Sequence, residues 1–409
     1  MIALTLAVRN LWKNRRRSAA TLLAVAVGFA AVNLFAGYIH VVYESLRTSA
    51  IRNDGLGHVT IAKRGFFARG SLDPERYVFS AAELARLDAL LRTPQVEVIS
   101  PRLAASGLVS NGRVSTIFVA EGERPDDANA LRQPADGAPR LDARRPDSGL
   151  VGKGLAEMLG ARTGGNLVLF TSTLAGQTNA LDLDVAQIWD TGVEATNDKA
   201  LRLPLGFVQK LLDTDGATRV AVLLAEADGR AAAADRYRAQ IQPLLAQAGF
   251  DVDIKTWFEL SSWYRQVKNL FDMIFVFLFT IVFVVVLMGI CNTLSMSVME
   301  RVREIGTLRA LGMKKSGIVR LFAVEGAVLG GVGCLVGAFA SVAVASAINA
   351  AQISYTPPSS SGAVALFVAV LPRMLAASAL FLTLVATLAA FWPARRAARI
   401  EIVDALGHV

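Results

Sequence analysis

With 53% apolar and 19% charged residues over 409 positions, the chain lies outside the soluble average of about 45–50% and about 25%, and its mean hydropathy is +0.44. That composition excludes a disordered or collagen-like chain, and a count of two cysteines excludes a disulfide-rich secreted module. The net charge of +8 admits nucleic acid or anionic lipid as a partner until the charges are placed.

Ile2–Trp12 is short and apolar and runs into the basic cluster Lys13, Arg15, Arg16, Arg17. The pattern predicts an interfacial elbow helix over residues 1–17. Ala19–Val42 then carries no Lys, Arg, Asp or Glu. Its apolar core is too long for a signal peptide, and it passes into Tyr43, Glu44 and Ser45 without a small-residue cleavage site, so it is expected to be an uncleaved anchor. A helix rises about 1.5 Å per residue, so about 20 residues cross a bilayer core. Four runs reach that length and give expected spans at 18–42, 269–299, 318–348 and 373–393.

Residues 43–268 form a hydrophilic insert. Val96–Ser100, Val114–Ala120, Leu167–Thr171 and Val220–Ala225 have strand character. Ser80–Leu91 and Ala231–Ala248 have helical spacing, with a capping-box pattern at Ser80 and Glu83. The expectation is an α+β domain of two subdomains, joined by a surface connection over Glu121–Asp147, which is rich in Pro, Asp and Arg. Residues 300–317 follow the second span as a short helix and loop, 349–372 connect the third and fourth spans, and 394–409 form a tail. The fold class is therefore a four-span helical membrane protein with a large α+β extracytoplasmic domain between the first two spans.

The charges now find their places. The insert holds 27 basic and 28 acidic residues, so the basic surplus lies wholly in the membrane-flanking pieces. It gathers at the N-terminus, between Arg301 and Arg320, and at Arg395, Arg396 and Arg399. Four spans put these pieces on one side, which the positive-inside rule makes cytoplasmic, with both termini there. No basic face remains on the soluble domain, so nucleic acid is not an expected partner. Both cysteines, Cys291 and Cys334, fall in spans.

Catalytic groupings are not found. The three histidines His40, His58 and His408 are scattered, which argues against a zinc site or a Ser/His pair. The string GMKKSG lacks the spacing of a phosphate-binding loop. The chain is expected to be a non-catalytic subunit with no cofactor or metal of its own.

The most specific segment follows the second span. Val302, Ile305, Leu308 and Leu311 recur at three-residue steps, and Arg301, Arg303, Glu304 and Arg309 lie on other faces. Gly312 stops the helix before Lys314 and Lys315. Its apolar ridge suits a groove on a partner, and a plain lipid-interface helix is the simpler reading. The string Glu300–Gly312 (ERVREIGTLRALG) resembles the signature of FtsX/MacB-type ABC transporter permeases, in the branch containing the lipoprotein-releasing LolC and LolE proteins. Asn10–Gly28 is similar to that family's N-terminal helix and first span, and Pro393–Leu406 to its tail. Thr356–Pro358 resembles a proline-containing segment of the Lol branch, and Val151–Phe170 and Thr191–Leu212 resemble the second periplasmic subdomain.

The resemblance implies a bacterial inner-membrane permease that works as a dimer, with itself or a paralogue, on two copies of a separate ABC ATPase that binds ATP and Mg. It assigns Glu300, Arg301, Val302, Arg303, Glu304, Ile305, Gly306, Leu308, Arg309, Leu311 and Gly312 to an ATPase-coupling helix. The implied activity is extraction or release of a lipoprotein, lipid or other amphiphile from the outer face of the inner membrane. An FtsX-like regulator of a periplasmic hydrolase and MacB-like efflux stay open. Phe271, Phe275, Phe279 and Phe283 form a stripe at i+4 steps that faces lipid or lines an acyl cavity. Gly176–Gln177 stands where the Lol branch carries a hook for a periplasmic lipoprotein chaperone, without that branch's prolines. Gly326, Gly330, Gly333 and Gly337, continued by Ser341 and Ala345, predict close helix packing. Glu325 and Arg373 near span ends are expected to pair or snorkel.

Overall fold

The structure, a computed structural model, describes residues 15–70, 72–132, 138–225, 231–357, 360–399 and 401. The expected elbow helix Ile2–Trp12 and the tail after residue 401 lie outside the described residues. In chain order the helices used here are α1 (Arg15–Thr48), α2 (Ala81–Leu91), α3 (Pro125–Arg132), α4 (Lys153–Leu159), α5 (Leu205–Leu212) and α6 (Ala231–Gln247). They continue with α7 (Ser262–Glu300), α8 (Val302–Ala310), α9 (Lys315–Ala351), α10 (Pro372–Ala389) and α11 (Phe391–Arg399). Two units contain them: Met1–Val42 with Lys268–Ser354 and Ala365–Val409, and Tyr43–Val267 with Tyr355–Val364.

In the first unit, α1, α7, α9 and α10 are long and apolar enough to cross a membrane. α1, α7 and α9 overrun the apolar stretches at both ends, because backbone hydrogen bonding continues where the hydrophobic side chains stop. The fourth crossing breaks at Ala390, one residue before α11. Pro393 has no N–H to offer the Ala389 carbonyl, which accounts for the break. The small-residue stripe of α9 serves two neighbours. A Cβ on Gly330 would lie 2.6 Å from the Ala386 Cβ of α10, and one on Gly333 would lie 2.6 Å from Val25 Cγ1 of α1. Hydroxyls and one amide join the helices: Thr21 and Thr293 Oγ1 atoms are 2.5 Å apart, and Ser378 Oγ donates to Asn33 Oδ1 at 3.1 Å. Each polar pair satisfies itself inside an apolar bundle.

The second unit is built on a nine-stranded mixed sheet of β1 (Val59–Lys63), β2 (Val96–Ser110), β3 (Ser115–Glu123), β4 (Ser148–Gly152), β5 (Asn166–Ser172), β6 (Thr178–Trp189), β7 (Ala200–Pro204), β8 (Arg219–Leu224) and β9 (Val252–Thr256). The order is β3-β7-β4-β6-β5-β2-β8-β1-β9, and β2 also pairs with β3. Strands β2 to β7 therefore close into a six-stranded barrel, and β8, β1 and β9 extend the sheet from β2. The 15-residue β2 belongs to both halves: its first residues pair with β8 and its last with β3 and β5. Each half has its own core. One gathers Ile61, Phe79, Leu87, Val222 and Trp257 under α2 and α6, the other Phe118, Leu155, Leu169, Leu203 and Phe207 with α4 and α5. The sheet thus carries two separate cores that share one strand.

The expected surface connection Glu121–Asp147 is corrected by the structure. β3 runs to Glu123, which is fully buried, and α3 follows at once. Pro125 opens that helix, Asp126 and Asp127 sit in its first turn, Arg132 in its last, and Ala128 and Leu131 are buried. These are ordinary helix signals, too few in eight residues to stand out from a Pro- and Asp-rich stretch. The Ser80–Glu83 capping box forms as expected, with Glu83 Oε2 accepting from Ser80 N at 2.8 Å and Ser80 Oγ from Glu83 N at 3.3 Å. Ser360 and Ser361, from the connection between α9 and α10, belong to this unit: Ser360 bridges Val193, and Ser361 N donates to Gly192 O at 3.3 Å. The Ser361 hydroxyl, Asn197 and the Gly192 N–H hold the Asp190 carboxyl below its ordinary range.

Candidate functional site

The helix after the second span forms as α8. Glu300 ends α7, and Arg301 is the N-cap of α8. Glu304 stands in the first turn and Arg309 in the last, each complementing the helix dipole. Gly312 closes the C-terminus at φ +95°. Its N–H donates to Arg309 O at 3.0 Å, and Met313 N donates to Leu308 O at 3.0 Å. This is a Schellman turn, which needs a left-handed residue at the glycine position.

The orientation of the helix corrects the expected ridge. Val302 and Ile305 are buried, and Ile305 packs in the bundle's own core with Val298, Ile318, Phe322 and Ala397. Gly306 is buried, and Leu308 is half-buried against the same core. The three-residue spacing marked the face that holds α8 to its own chain. Arg303, Glu304, Thr307 and Ala310 lie outward, and Leu311 is 81% exposed beside Gly312 and the exposed Met313, Lys314 and Lys315. Arg301 fixes the attachment. Its Nε donates to Glu304 Oε2 at 2.8 Å, its Nη1 lies 3.6 Å from the buried Glu325 carboxylate, and its guanidinium sits 5.9 Å from the centre of the Phe322 ring. Glu325 thus pairs across to the start of α8.

The phenylalanine stripe becomes a ladder between helices. Phe271 meets Tyr38 edge-on at 6.2 Å and Phe275 stacks on Phe35 at 6.4 Å. Phe279 stacks on Phe275 at 6.2 Å and on Phe283 at 6.4 Å, and both Phe279 and Phe283 meet Phe381 of α10. All four are half-buried, while Met273, Val276, Phe277 and Met288 form the outer face of α7.

Gly176 and Gln177 form the exposed tip of the β5–β6 hairpin. Gly176 N donates to Thr173 O at 2.9 Å, and Thr173 N to Gln177 O at 2.7 Å.

One cluster escaped the sequence reading because its members are far apart in the chain. Where β2 passes between the two cores, Arg102 faces Glu123 of β3 and Arg219 of β8. Arg132 grips the Glu123 carboxylate with both terminal nitrogens at 2.5 and 2.7 Å, and Arg102 Nη2 lies 3.3 Å from it. Burial raises the Glu123 carboxyl, but Arg102 and Arg132 outweigh it and hold it at about 2. Burial also brings Arg202 down to about 10. The same arginines receive the chain leaving α1: Asn53 O accepts from Arg202 at 2.9 Å and from Arg132 at 3.2 Å. Gly55, at φ +68°, admits the Arg102 guanidinium, which a Cβ there would meet at 2.0 Å. A groove of about 420 Å³ opens nearby among Arg124, Pro125, Pro146, Pro204 and Leu205. Among the described residues no group of carboxylates, histidines and cysteines could hold a metal.

Four apolar helices long enough to cross a membrane, a short capped helix held to them by its inner face, and a folded insert after the first of them set the architecture of a multi-span membrane protein. Residues 18–240 match the MacB-like periplasmic core domain and residues 276–402 the FtsX-like permease C-terminal domain. The chain belongs to the FtsX/MacB-type family of ABC transporter permeases. It is 32% identical over 146 residues to the ABC transporter permease YtrF of Bacillus subtilis, covering 34% of each chain. It is 37% identical over 123 residues to the macrolide export ATP-binding/permease protein MacB of Pectobacterium atrosepticum, covering 29% of this chain and 16% of that protein. The pyoverdine export ATP-binding/permease protein PvdT of Pseudomonas savastanoi pv. phaseolicola is 33% identical over 120 residues, with the same coverage. The matched stretches thus span about a third or less of these relatives. The periplasmic region of MacB from Actinobacillus actinomycetemcomitans aligns with 52% of this chain and 92% of its own at 12% identity and a TM-score of 0.34.

Proposed function

We propose that this permease couples ATP hydrolysis on a separate ABC ATPase to the extraction or release of an amphiphile, such as a lipoprotein or lipid, from the outer face of the inner membrane. The observation that carries the coupling half is Leu311. An apolar side chain 81% exposed on a glycine-capped turn, followed in the chain by the exposed Lys314 and Lys315, is a knob for a partner's groove. The ATPase supplies that groove, binds ATP and Mg, and is present in two copies under a permease dimer of like or paralogous chains. On this reading α8 and the termini are cytoplasmic and the insert domain is periplasmic.

The amphiphile half rests on the spans. Their outward faces are apolar, and polar side chains such as Thr21, Thr293, Asn33 and Ser378 bond to one another or to backbone. An acyl chain matches such surfaces where a polar solute does not. The names of MacB and PvdT favour a second reading, efflux of a macrolide- or siderophore-like compound, for which the insert domain would bind an adaptor. The exposed hairpin tip at Gly176–Gln177 is the proposed contact for a periplasmic lipoprotein, chaperone or adaptor.

Purification of the tagged permease from native membranes tests both halves. Stoichiometric recovery of an ABC ATPase with lipid or lipoprotein is the expected result. A stable assembly with no ATPase would refute the coupling, and an adaptor without amphiphile would move the cargo to the efflux reading.

A further inference from the structure

The last described helix carries a feature that the transport reading leaves unused. α11 buries Pro393, Ala394, Ala397 and Ala398 in the bundle and turns Phe391, Trp392, Arg395, Arg396 and Arg399 outward. The arginines stack on their own helix's aromatics: Arg396 Cζ lies 4.8 Å from the Trp392 ring centre and Arg395 Cζ 6.0 Å from that of Phe391. No described carboxylate lies within salt-bridge distance of Arg395, Arg396 or Arg399. The face is therefore strongly positive, with a planar aromatic platform beneath the charges.

Its surroundings identify the occupant. Leu380, Leu384 and Leu388 of α10 are 75%, 55% and 58% exposed at four-residue steps, and Trp392, 62% exposed, continues the same row into α11. An exposed leucine row on a membrane-crossing helix faces acyl chains, so the groups that extend it face the headgroups of the same lipids. Depth agrees. From Arg373 to the break at Ala390 is about 25 Å of helix, against a hydrocarbon core of about 30 Å, and Trp392 follows two residues on. Trp392 then sits at the interface, where indoles concentrate, and the guanidiniums stand one turn beyond it, at phosphate level. Guanidinium forks bind phosphate oxygens in pairs, and here they need no reach to find them.

We propose that the outer face of α11 is a binding site for an anionic phospholipid, with the phosphate headgroup held by Arg395, Arg396 and Arg399 and the glycerol region resting on Trp392. The helix thereby anchors the end of the bundle that also carries α8, and both pack in one core.

The test uses the full chain in lipid nanodiscs of mixed phosphatidylcholine and phosphatidylglycerol, with one or the other lipid brominated near the glycerol. The difference in tryptophan fluorescence between the wild type and Trp392→Phe isolates quenching at Trp392. Brominated phosphatidylglycerol should quench more than brominated phosphatidylcholine at equal content. That preference should fall by about fivefold for each arginine replaced by glutamine, the factor one basic residue contributes at an anionic surface, and it should weaken in high salt. Equal quenching by the two lipids in the wild type would overturn the proposal, and this arm stands even if the glutamine variants fail to insert. Quenching by neither lipid, with a protein partner lost from the glutamine variants, would overturn it too, by giving the face to that partner.

Discussion

Replacing Leu311 separates docking from folding, because its side chain contributes almost nothing to the permease's own packing. At 81% exposure it leaves little to lose in the free subunit, and a surface change of this kind stays within about 0.5 kcal/mol. Seated in a groove, a leucine stabilises the complex by about 1.5–3 kcal/mol. Leu311→Ala should therefore weaken ATPase binding by about 10- to 150-fold, and Leu311→Asp should weaken it further, since a carboxylate must then be desolvated. The contrast is Ile305→Ala, 2% exposed in the bundle core, which should destabilise the permease itself by about 2–5 kcal/mol. Leu308→Asp, the substitution that the expected ridge would suggest, reports mainly on folding, because Leu308 packs against that core. The assay pairs thermal unfolding of each purified variant with titration by the co-purifying ATPase. Loss of affinity at unchanged melting temperature is expected for Leu311→Ala and Leu311→Asp. Unchanged affinity in Leu311→Asp would refute the knob and leave α8 as a helix resting on lipid.

Gly312→Ala should cost the α8 turn about 1–2 kcal/mol, because φ +95° is left-handed, visible as faster amide exchange from Leu308 to Met313. Glu123→Gln strips the buried Arg102 of its charge partner and should destabilise the insert domain by about 3–5 kcal/mol, read from its unfolding midpoint. In the wild type that contribution is complete above the unfolded carboxyl value of 4.5 and fades as pH falls toward about 2, so the variant's deficit should shrink in acid. Asp127 runs the other way: burial raises it from 3.8 to about 6, so the domain should gain stability as pH falls from above 6 toward 4. Asp127→Asn should abolish that gain and stabilise the domain at pH 8 by on the order of 2 kcal/mol, checked by chemical denaturation across pH. Gly337→Val would push a side chain onto Ala26 O, which a Cβ already meets at 2.7 Å, and should lower the melting temperature of the membrane unit.

The crossings and their packing were legible because membranes make hydropathy and small-residue spacing nearly deterministic. Gly326, Gly330, Gly333 and Gly337 lie where close approach requires them, and the step of four within each pair, Gly326–Gly330 against α10 and Gly333–Gly337 against α1, is the period of the contact itself. Hydropathy reads the thickness of the solvent rather than the length of the helix, and for that reason α1 and α7 outrun their apolar stretches. The insert was legible only in pieces. β1, β4, β6, β7 and β9 are short, mixed in polarity or buried on one face, and pairing across the sheet gives them their identity as strands, as when β1 pairs with β8 and β7 with β3, each many residues away. The Arg102–Glu123–Arg132 cluster shows the limit plainly, since nothing in PRLAA, EGERP or NALRQ says that one carboxylate will serve two guanidiniums.

Helix α8 shows a subtler limit. A repeat of apolar residues identifies a buried face but carries no label for what buries it. In α8 both candidates were physically sound: a groove on a partner, or the bundle from which the helix hangs. The nearer surface wins on entropy. Arg301 already ties the N-cap to Glu304 and Glu325, and only the break at that residue separates α8 from α7, so docking Val302 and Ile305 onto their own core immobilises little additional chain. A partner must instead read what the fold leaves out, and the Schellman turn at Gly312 determines that remainder by holding Leu311 away from the core. In this chain the apolar ridge faces the bundle, and the side left exposed is the one that the glycine turns outward.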